Sequence, residues 1–398
     1  MEQGVIIIGS NPITKLGLIR SIGEMGGCRI TVITMVMQMP KGKHMSIDCS
    51  SKYVDRHYYA LKFNADLLYS TLMDYCRETE RTPIILSVDD DSAYIVDSML
   101  DKLRPYFICA NINHQQGEIG RLMNKQVQKE LAKQNGFAVA KSWAIDFEQG
   151  KFTLPEGITY PCYVKGLMSY HTLKKYQGRC NTEDELRKKL TKIGREYPCP
   201  IIVEEFIDIE KDFGIIGFAN EGVCVVPGIV ELLDSGHGSH KGVSAFGRVR
   251  TKNVGEDICE RVEQFVKSLH LQGLFNVDLV ESKGQIYFVE MNLRYAAYGY
   301  AVSRAGVNLP ELYVRTVLGL PTGEKQMVVK KVCYYFNERV AGDDRIGGYR
   351  SRKDVRDLRA RADFGLLNNQ EDPMPYERFK RDYIKTYIIH KIKKLLGR

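Results

Sequence analysis

Apolar and polar positions change period several times along the chain, and each change predicts an element. Residues 4 to 38 read as a buried apolar strand, a glycine turn, an amphipathic helix and a second apolar strand, a βαβ opening. A helix is expected from about Asn64 to Thr79, and PIILSVDDDSAY at 83 to 94 reads as another buried strand. Beyond residue 112 the texture changes. A helix from about Gly117 closes at Asn135 and Gly136, a C-cap pair. Short strands at 137 to 145, 160 to 167 and 199 to 207 then enclose a basic polar loop reaching Cys180 and a helix at 182 to 196. A hairpin about Asn220, Glu221 and Gly222 follows, then the glycine-rich stretch SGHGSHKGVSAFG at 235 to 247, expected to be a mobile loop. Helix 256 to 270 leads into two alternating runs, FNVDLV (275 to 280) and VEMNLR (289 to 294), and helix 309 to 318 stops at a Gly and a Pro. A strand in VCYYFNERV comes after Lys330.

The two alternating runs hold the densest chemistry. Ser282, Lys283, Gly284 and Gln285 supply a turn, and folding about Gly284 pairs position i with 568 − i. Asp278 then lies across from Glu290, with Asn292 and Arg294 further along the same face. Cross-strand neighbours sit about 4.5 to 5.5 Å apart at Cβ. Two carboxylates and an amide oxygen at that spacing suit a hard cation such as Mg²⁺, completed by water and phosphate oxygens. The alternative is a solvated hairpin edge; the apolar neighbours of both acids argue against it.

Elsewhere the candidates are less specific. Asp89, Asp90 and Asp91 lie at the carboxyl end of a predicted strand, placed either to meet a substrate amine or to cap the following helix. His237 and His240 have a helical ligand offset, but the glycines around them favour a lid with solvated histidines. The opening glycine turn, Gly9 followed by SNPITKLG, lacks the spacing of a dinucleotide site, so no NAD is expected.

With 398 residues the chain has room for two or three domains, and 44% hydrophobic with 27% charged residues is ordinary for a globular protein. Ten cysteines stand singly with no CxxC pair, which speaks against a zinc site or a disulfide framework. No run reaches the ~18 apolar residues of a membrane span, and the short run Val5 to Ile8 does not make a signal peptide. A cytoplasmic protein is the expectation. The net charge of +8 is concentrated in the tail, where residues 376 to 398 carry eight Lys or Arg and two acids. That leaves nucleic acid an unexpected partner. The tail's apolar residues, Ile384, Ile388, Ile392 and Leu395, fall near helical spacing between basic ones. It could lie on an anionic membrane or dock on the body with its basic face outward.

Taken in order, these pieces resemble the ATP-grasp superfamily over about residues 1 to 325. The motifs are NK at 124 to 125, YVK at 163 to 165, VEEFI at 203 to 207, FNVDLV and VEMNLR. The resemblance implies a fold of mixed α/β and α+β type. A Rossmann-like domain (1 to 112) would precede an ATP-grasp domain (113 to 325), with a small lobe at about 137 to 207 and a large lobe at about 208 to 325. A C-terminal extension with a basic amphipathic tail (326 to 398) would follow. It implies that Lys125 and Lys165 reach the ATP phosphates, that the backbone of Glu205, Phe206 and Ile207 faces adenine, and that Glu204 takes its exocyclic amine. Asp212, with Glu210 as the second candidate, would bind ribose hydroxyls. Asp278, Glu290 and Asn292 would hold Mg²⁺ (or Mn²⁺), with Arg294 on the transferring phosphoryl group. Two departures stand out: GLMSYHTLKKYQGRC after Lys165 lacks the usual glycine run, leaving Ser169, Tyr170 and His171 as candidates to cover the phosphates, and Leu293 replaces a common proline.

GSN near the start, SKYV and SVDDDSAY look like the carboxylate-amine ligases similar to D-aspartate ligase and the carbamoyl-phosphate synthase large subunit. The implied activity is ATP-dependent amide formation between a small carboxylate and an amine through an acyl phosphate. The alternatives are kinase-like phosphoryl transfer and a non-catalytic ATP-binding protein held at a membrane by its tail. A homo-oligomer is compatible with the sequence.

Overall fold

The computed structural model describes residues 2–40, 46–62, 64–77, 81–170, 174–238, 242–251, 258–323 and 325–395. The chain begins with β1 (Gln3–Gly9), α1 (Pro12–Met25), β2 (Cys28–Val36), β3 (Val54–Leu61), α2 (Ala65–Cys76), β4 (Ile84–Ser87), α3 (Asp90–Asp97), α4 (Leu100–Leu103) and β5 (Ile108–Cys109). Its five strands form a parallel sheet in the order β3-β2-β1-β4-β5. The winding direction reverses between β1 and β4, which opens a crevice at their carboxyl ends. All seven residues of β1 are buried, Val5 and Ile7 in one apolar cluster and Ile6 and Ile8 in another, because both faces of the sheet are covered. The strand expected over 83 to 94 stops at Ser87. Asp89 ends it by accepting the Ser92 backbone N–H at 2.9 Å, completing a reciprocal cap on α3.

Next come β6 (Asn111–Ile112), α5 (Glu118–Leu122), α6 (Lys125–Gln134) and β7 (Ala138–Val139). The single helix expected over 117 to 136 is therefore two. Asn124 breaks it, its side chain capping the backbone N–H groups of Gln126 and Val127. A small sheet follows, ordered β10-β9-β11-β8, from β8 (Ser142–Ile145), β9 (Cys162–Gly166), β10 (Gly178–Cys180) and β11 (Ile201–Glu205). All its pairings are antiparallel. α7 (Glu183–Glu196) covers it with Leu186, Leu190 and Ile193, a stripe at i, i+4 and i+7.

The remaining strands are β12 (Lys211–Asn220), β13 (Val223–Val225), β14 (Ile229–Ser235), β15 (Ser244–Arg250), β16 (Leu271–Ser282), β17 (Gln285–Asn292), β18 (Cys333–Phe336) and β19 (Phe364–Gly365). With β6 and β7 they make a ten-stranded sheet along the path β19-β18-β15-β14-β12-β16-β17-β7. The helices here are α8 (Ile258–Ser268), α9 (Gly299–Arg304), α10 (Leu309–Val317), α11 (Glu338–Ile346), α12 (Arg352–Arg361) and α13 (Met374–Leu395).

Two expectations change. Residue 325 is no boundary: β18 pairs with β15, Phe336 opposite Phe246, so the supposed extension is part of the large sheet. The chain then returns to the first domain, where buried Asp372 meets buried Arg20 at 2.9 Å. The glycine-rich stretch is also shorter than expected, because Ser244 to Gly247 belong to β15. None of the ten cysteines, all among the described residues, is in a disulfide.

Candidate active site

Lys283 and Gly284 take positive φ, 51° and 75°, the geometry of a two-residue hairpin turn. From this turn Ser282 pairs with Gln285 and Leu279 with Phe288, one position away from the 568 − i rule. A bulge between Asp278 and Leu279 then inserts Val289 as an extra residue, and Asp278 does pair with Glu290, Val277 with Met291 and Asn276 with Asn292. The expected opposition of the two acids is thus present, by way of the bulge. A regular ladder would have turned residues 289 to 292 to the other face.

Asp278 is the hub of a hydrogen-bond network. It accepts from Asn276 Nδ2 at 2.8 Å, Asn292 Nδ2 at 2.9 Å and the Tyr298 hydroxyl at 3.1 Å. Gly214, next to this network, has no room for a Cβ, which would collide with the Tyr298 hydroxyl. Arg294 donates from Nη2 to Asn292 Oδ1 at 3.0 Å and pairs with Asp90 at 3.2 Å. Glu290 sits 3.3 Å from Lys125 Nζ, and that ammonium also donates to Ser169 Oγ at 2.9 Å. Lys125 opens α6, but its backbone N–H is taken by Leu167, so what it offers a phosphate is the side-chain charge.

The charges explain the proton affinities. Burial, then the facing Glu290 carboxylate, pushes Asp278 up to about 7. Burial pushes Glu290 the same way, but Lys125, Lys165 and Arg294 overcome it and hold the acid down to about 2. Two facing carboxylates are kept from ionising together unless a cation replaces the proton between them. Asp278, Glu290 and the Asn292 amide oxygen therefore form an oxygen donor set that fits Mg²⁺, with positions left for water and phosphate. Among the described residues no group of three or more His, Cys, Asp or Glu is arranged to hold a metal by itself.

The Glu204 carboxylate lies between Lys129 at 2.5 Å and Lys165 at 3.0 Å, and the residue is 8% exposed. Both side-chain oxygens face ammonium groups, so the carboxylate holds the two lysines. Burial lowers the Lys129 ammonium's proton affinity, while for Lys165 the nearby Glu204 and Glu290 outweigh burial and raise it. Lys165 thus stays charged inside the site. On the hinge, the N–H groups of Glu205 and Phe206 are spent on Lys141 and Pro161 carbonyls, and Arg179 lies 4.4 Å over the Phe206 ring. Of the three expected adenine-facing residues, Ile207 is the one with no backbone N–H partner among the described contacts. Asp212, on β12, is close enough to Asp278 for its charge to raise that acid, and its own burial pushes it up to about 6.

The three acids at 89 to 91 separate. Asp89 caps α3 and accepts the Ser10 backbone N–H at 2.6 Å; Asp91 pairs with Lys62 at 2.5 Å; Asp90 alone reaches the site, through Arg294. Asp90, Tyr94 and Asp97 share one face of α3 at i, i+4 and i+7. Tyr94 stacks on Tyr170 of the loop after Lys165, ring centroids 3.9 Å apart, and Asp97 accepts the Gly120 N–H at 2.9 Å. His171 and His240 lie outside the described residues. His237 is exposed, with its ring 3.1 Å from buried Asp344 and stacked on Tyr349. Lys129, Asn276, Tyr298 and Tyr94 were not singled out from the sequence. Lys129 follows Lys125 by one helical turn and Asn276 precedes Asp278 on the same strand face, so spacing alone could have marked both.

No protein-family model matches the chain. Among curated proteins it is similar to carbamoyl phosphate synthase large chains. It is 28% identical to that of Halobacterium salinarum over 212 residues, half of this chain and 20% of the relative. It is 21% identical to that of Methanosarcina barkeri over 248 residues, 61% of this chain and again 20% of the relative. The chain thus spans about a fifth of these relatives' length. Among solved structures it is similar to an L-amino acid ligase from Bacillus licheniformis, with TM-score 0.62 and 17% identity, covering 84% of this chain and 79% of that one. An ADP complex of N5-carboxyaminoimidazole ribonucleotide synthetase gives TM-score 0.64 and 17% identity, covering 87% and 85%. The biotin carboxylase domain of Hydrogenobacter thermophilus 2-oxoglutarate carboxylase, solved with MgADP and bicarbonate, gives 0.63 and 15%, covering 84% and 74%. A Rossmann-like sheet, a small antiparallel lobe bearing lysines and a large sheet bearing paired carboxylates make this the ATP-grasp fold. The chain is similar in sequence to the carbamoyl phosphate synthase large chains and in fold to the L-amino acid ligase and the synthetase above.

Proposed function

We propose that the chain is an ATP-dependent ligase that joins a small carboxylate to an amine, releasing ADP and phosphate. The observation that carries this reading is the convergence of Lys125 and Lys165 from the small-lobe side on Asp278, Glu290, Asn292 and Arg294 from the large sheet. In the first step a carboxylate oxygen attacks the γ-phosphorus of ATP, the bond to the β-phosphate oxygen breaks, and ADP leaves. In the second an amine nitrogen attacks the acyl carbon, phosphate leaves, and the nitrogen gives up a proton.

The side chains supply position and charge and need no covalent intermediate. Lys125 and Lys165 neutralise phosphate oxygens, and Glu204 fixes Lys165 at 3.0 Å. Arg294, held by Asp90 and Asn292, offers a planar donor to the transferring phosphoryl group. Asp278, Glu290 and Asn292 would hold Mg²⁺, which when bound polarises the phosphate oxygens and screens their charge. Tyr298 and Asn276 keep the Asp278 carboxylate oriented. Asp212 would take the ribose hydroxyls and Ile207 the adenine edge.

The test is ADP release from the purified chain given ATP and Mg²⁺, across a panel of amino acids and sugar acids paired with amines. Release that needs both an acid and an amine, with amide appearing in step, supports ligation. Release needing an acid alone, with a stable phosphorylated product, would replace it with phosphoryl transfer; tight ATP binding with no turnover on any pair would replace it with a non-catalytic role.

A further inference from the structure

α13 has two apolar faces, and only one of them is used inside the molecule. Toward the body, Tyr376, Phe379, Tyr383 and Tyr387 stack in succession with ring centroids 6.3, 5.9 and 6.3 Å apart. Tyr376 and Phe379 pack with Ile13, Leu16 and Leu367, Tyr383 lies against Gly342, and Arg345 sits 5.2 Å over the Tyr387 ring. These contacts fix the helix as far as Tyr387. Away from the body, Ile384, Ile388 and Ile392 form a ridge at successive i+4 positions, with Ile389 beside it. They are 55%, 51%, 50% and 53% exposed. Isoleucine is among the residues most often buried, and four exposed on one short stretch of helix make a continuous apolar strip.

The charges around this strip have one sign. Arg381, Lys385, Lys391 and Lys393 border it, and residues 376 to 398 hold eight Lys or Arg against Glu377 and Asp382. A second copy of the helix would bring like charges together along the apolar seam. A surface that is apolar beneath a negatively charged layer would satisfy both the strip and its border. Among the described residues no helix is long and apolar enough to cross a membrane, and an apolar strip with a basic border suits a helix lying along one. We propose that the exposed isoleucine face of α13 is a contact surface for a bilayer containing anionic lipid, which seats the protein at the membrane by way of the second half of this helix.

The experiment is flotation of the full chain with vesicles of phosphatidylcholine alone or of phosphatidylcholine with phosphatidylglycerol. The chain should float with the anionic vesicles at low salt and be released as salt rises. The triple variant Ile384→Ser, Ile388→Ser, Ile392→Ser should partition about tenfold less, and so should Lys385→Gln, Lys391→Gln, Lys393→Gln. Both should keep the parent's thermal midpoint, because the substituted side chains are all exposed. Absence of flotation, or equal flotation of the isoleucine variant, would overturn the proposal. So would concentration-dependent dimerisation that disappears in the isoleucine variant while neither protein floats, which would give the strip to a second copy.

Discussion

Asp278 carries an electrostatic cost that only the site's chemistry explains. Pushed up to about 7 by burial and by Glu290, it gains little for the fold by being an acid. Asp278→Asn should therefore leave the unfolding midpoint unchanged or raise it, while ATP turnover falls by at least ~100-fold; calorimetry beside an ADP-release assay checks both. Asp212 gives a pH prediction. Burial sets its folded value at about 6 against an ordinary 3.8, so folding favours its protonated form. Its contribution to stability is complete below about 3.8 and is lost as pH rises through about 6. Asp212→Asn should flatten the dependence of the thermal midpoint on pH across that window. At this scale the paired acids were legible, because alternation puts Asp278 and Glu290 on facing strands. The bulge at Val289 was not, since one extra residue leaves no mark in the apolar pattern. The Glu204 contact with Lys129 was not legible either, because the two residues lie 75 positions apart and only the fold brings them together.

α3 shows how an element can matter more than its own sequence suggests. Its first turn holds Arg294 through Asp90, its middle holds the loop after Lys165 through Tyr94, and its last turn holds α5 through Asp97. One helix face thus steadies Arg294 and the loop after Lys165 together. That loop lacks a glycine run, and stacking Tyr170 on Tyr94 gives it another means of being held. Tyr94→Ala should raise the KM for ATP roughly two- to tenfold, the value of an aromatic pair worth about 0.5 to 1.5 kcal/mol, with the thermal midpoint little changed. Tyr94→Phe should restore it. The i, i+4, i+7 spacing was visible in the chain, whereas the partners across the domain junction were not. The helix of 117 to 136 was likewise recognised as helix but not as two, because Asn124 looks like any polar surface residue until its side chain is seen to cap.

Over the whole molecule, the chain closes on itself. β18 and β19 complete the large sheet, and the segment that follows ties back to α1. Arg20, fully buried, pairs with Asp372 and donates to the carbonyls of Leu366, Leu367 and Asp372. Removing one partner leaves a buried charge alone, so Asp372→Ala should cost about 3 to 5 kcal/mol in urea unfolding. A contact spanning 352 positions has no local signature, which is why the last 73 residues read as an extension. The three-part order of parallel sheet, small lobe and large sheet was readable from where the apolar period switches between helix, buried strand and half-buried strand.

The central claim, an acyl phosphate made at the Asp278 and Glu290 site, makes one atom traceable. The carboxylate substrate found by ADP release is prepared with heavy oxygen and incubated with ATP, Mg²⁺ and its amine, and the phosphate is read by mass spectrometry. Transfer of one labelled oxygen from carboxylate to phosphate, with ADP as the only nucleotide product, is the predicted result. Unlabelled phosphate, or release of AMP with pyrophosphate, would contradict it.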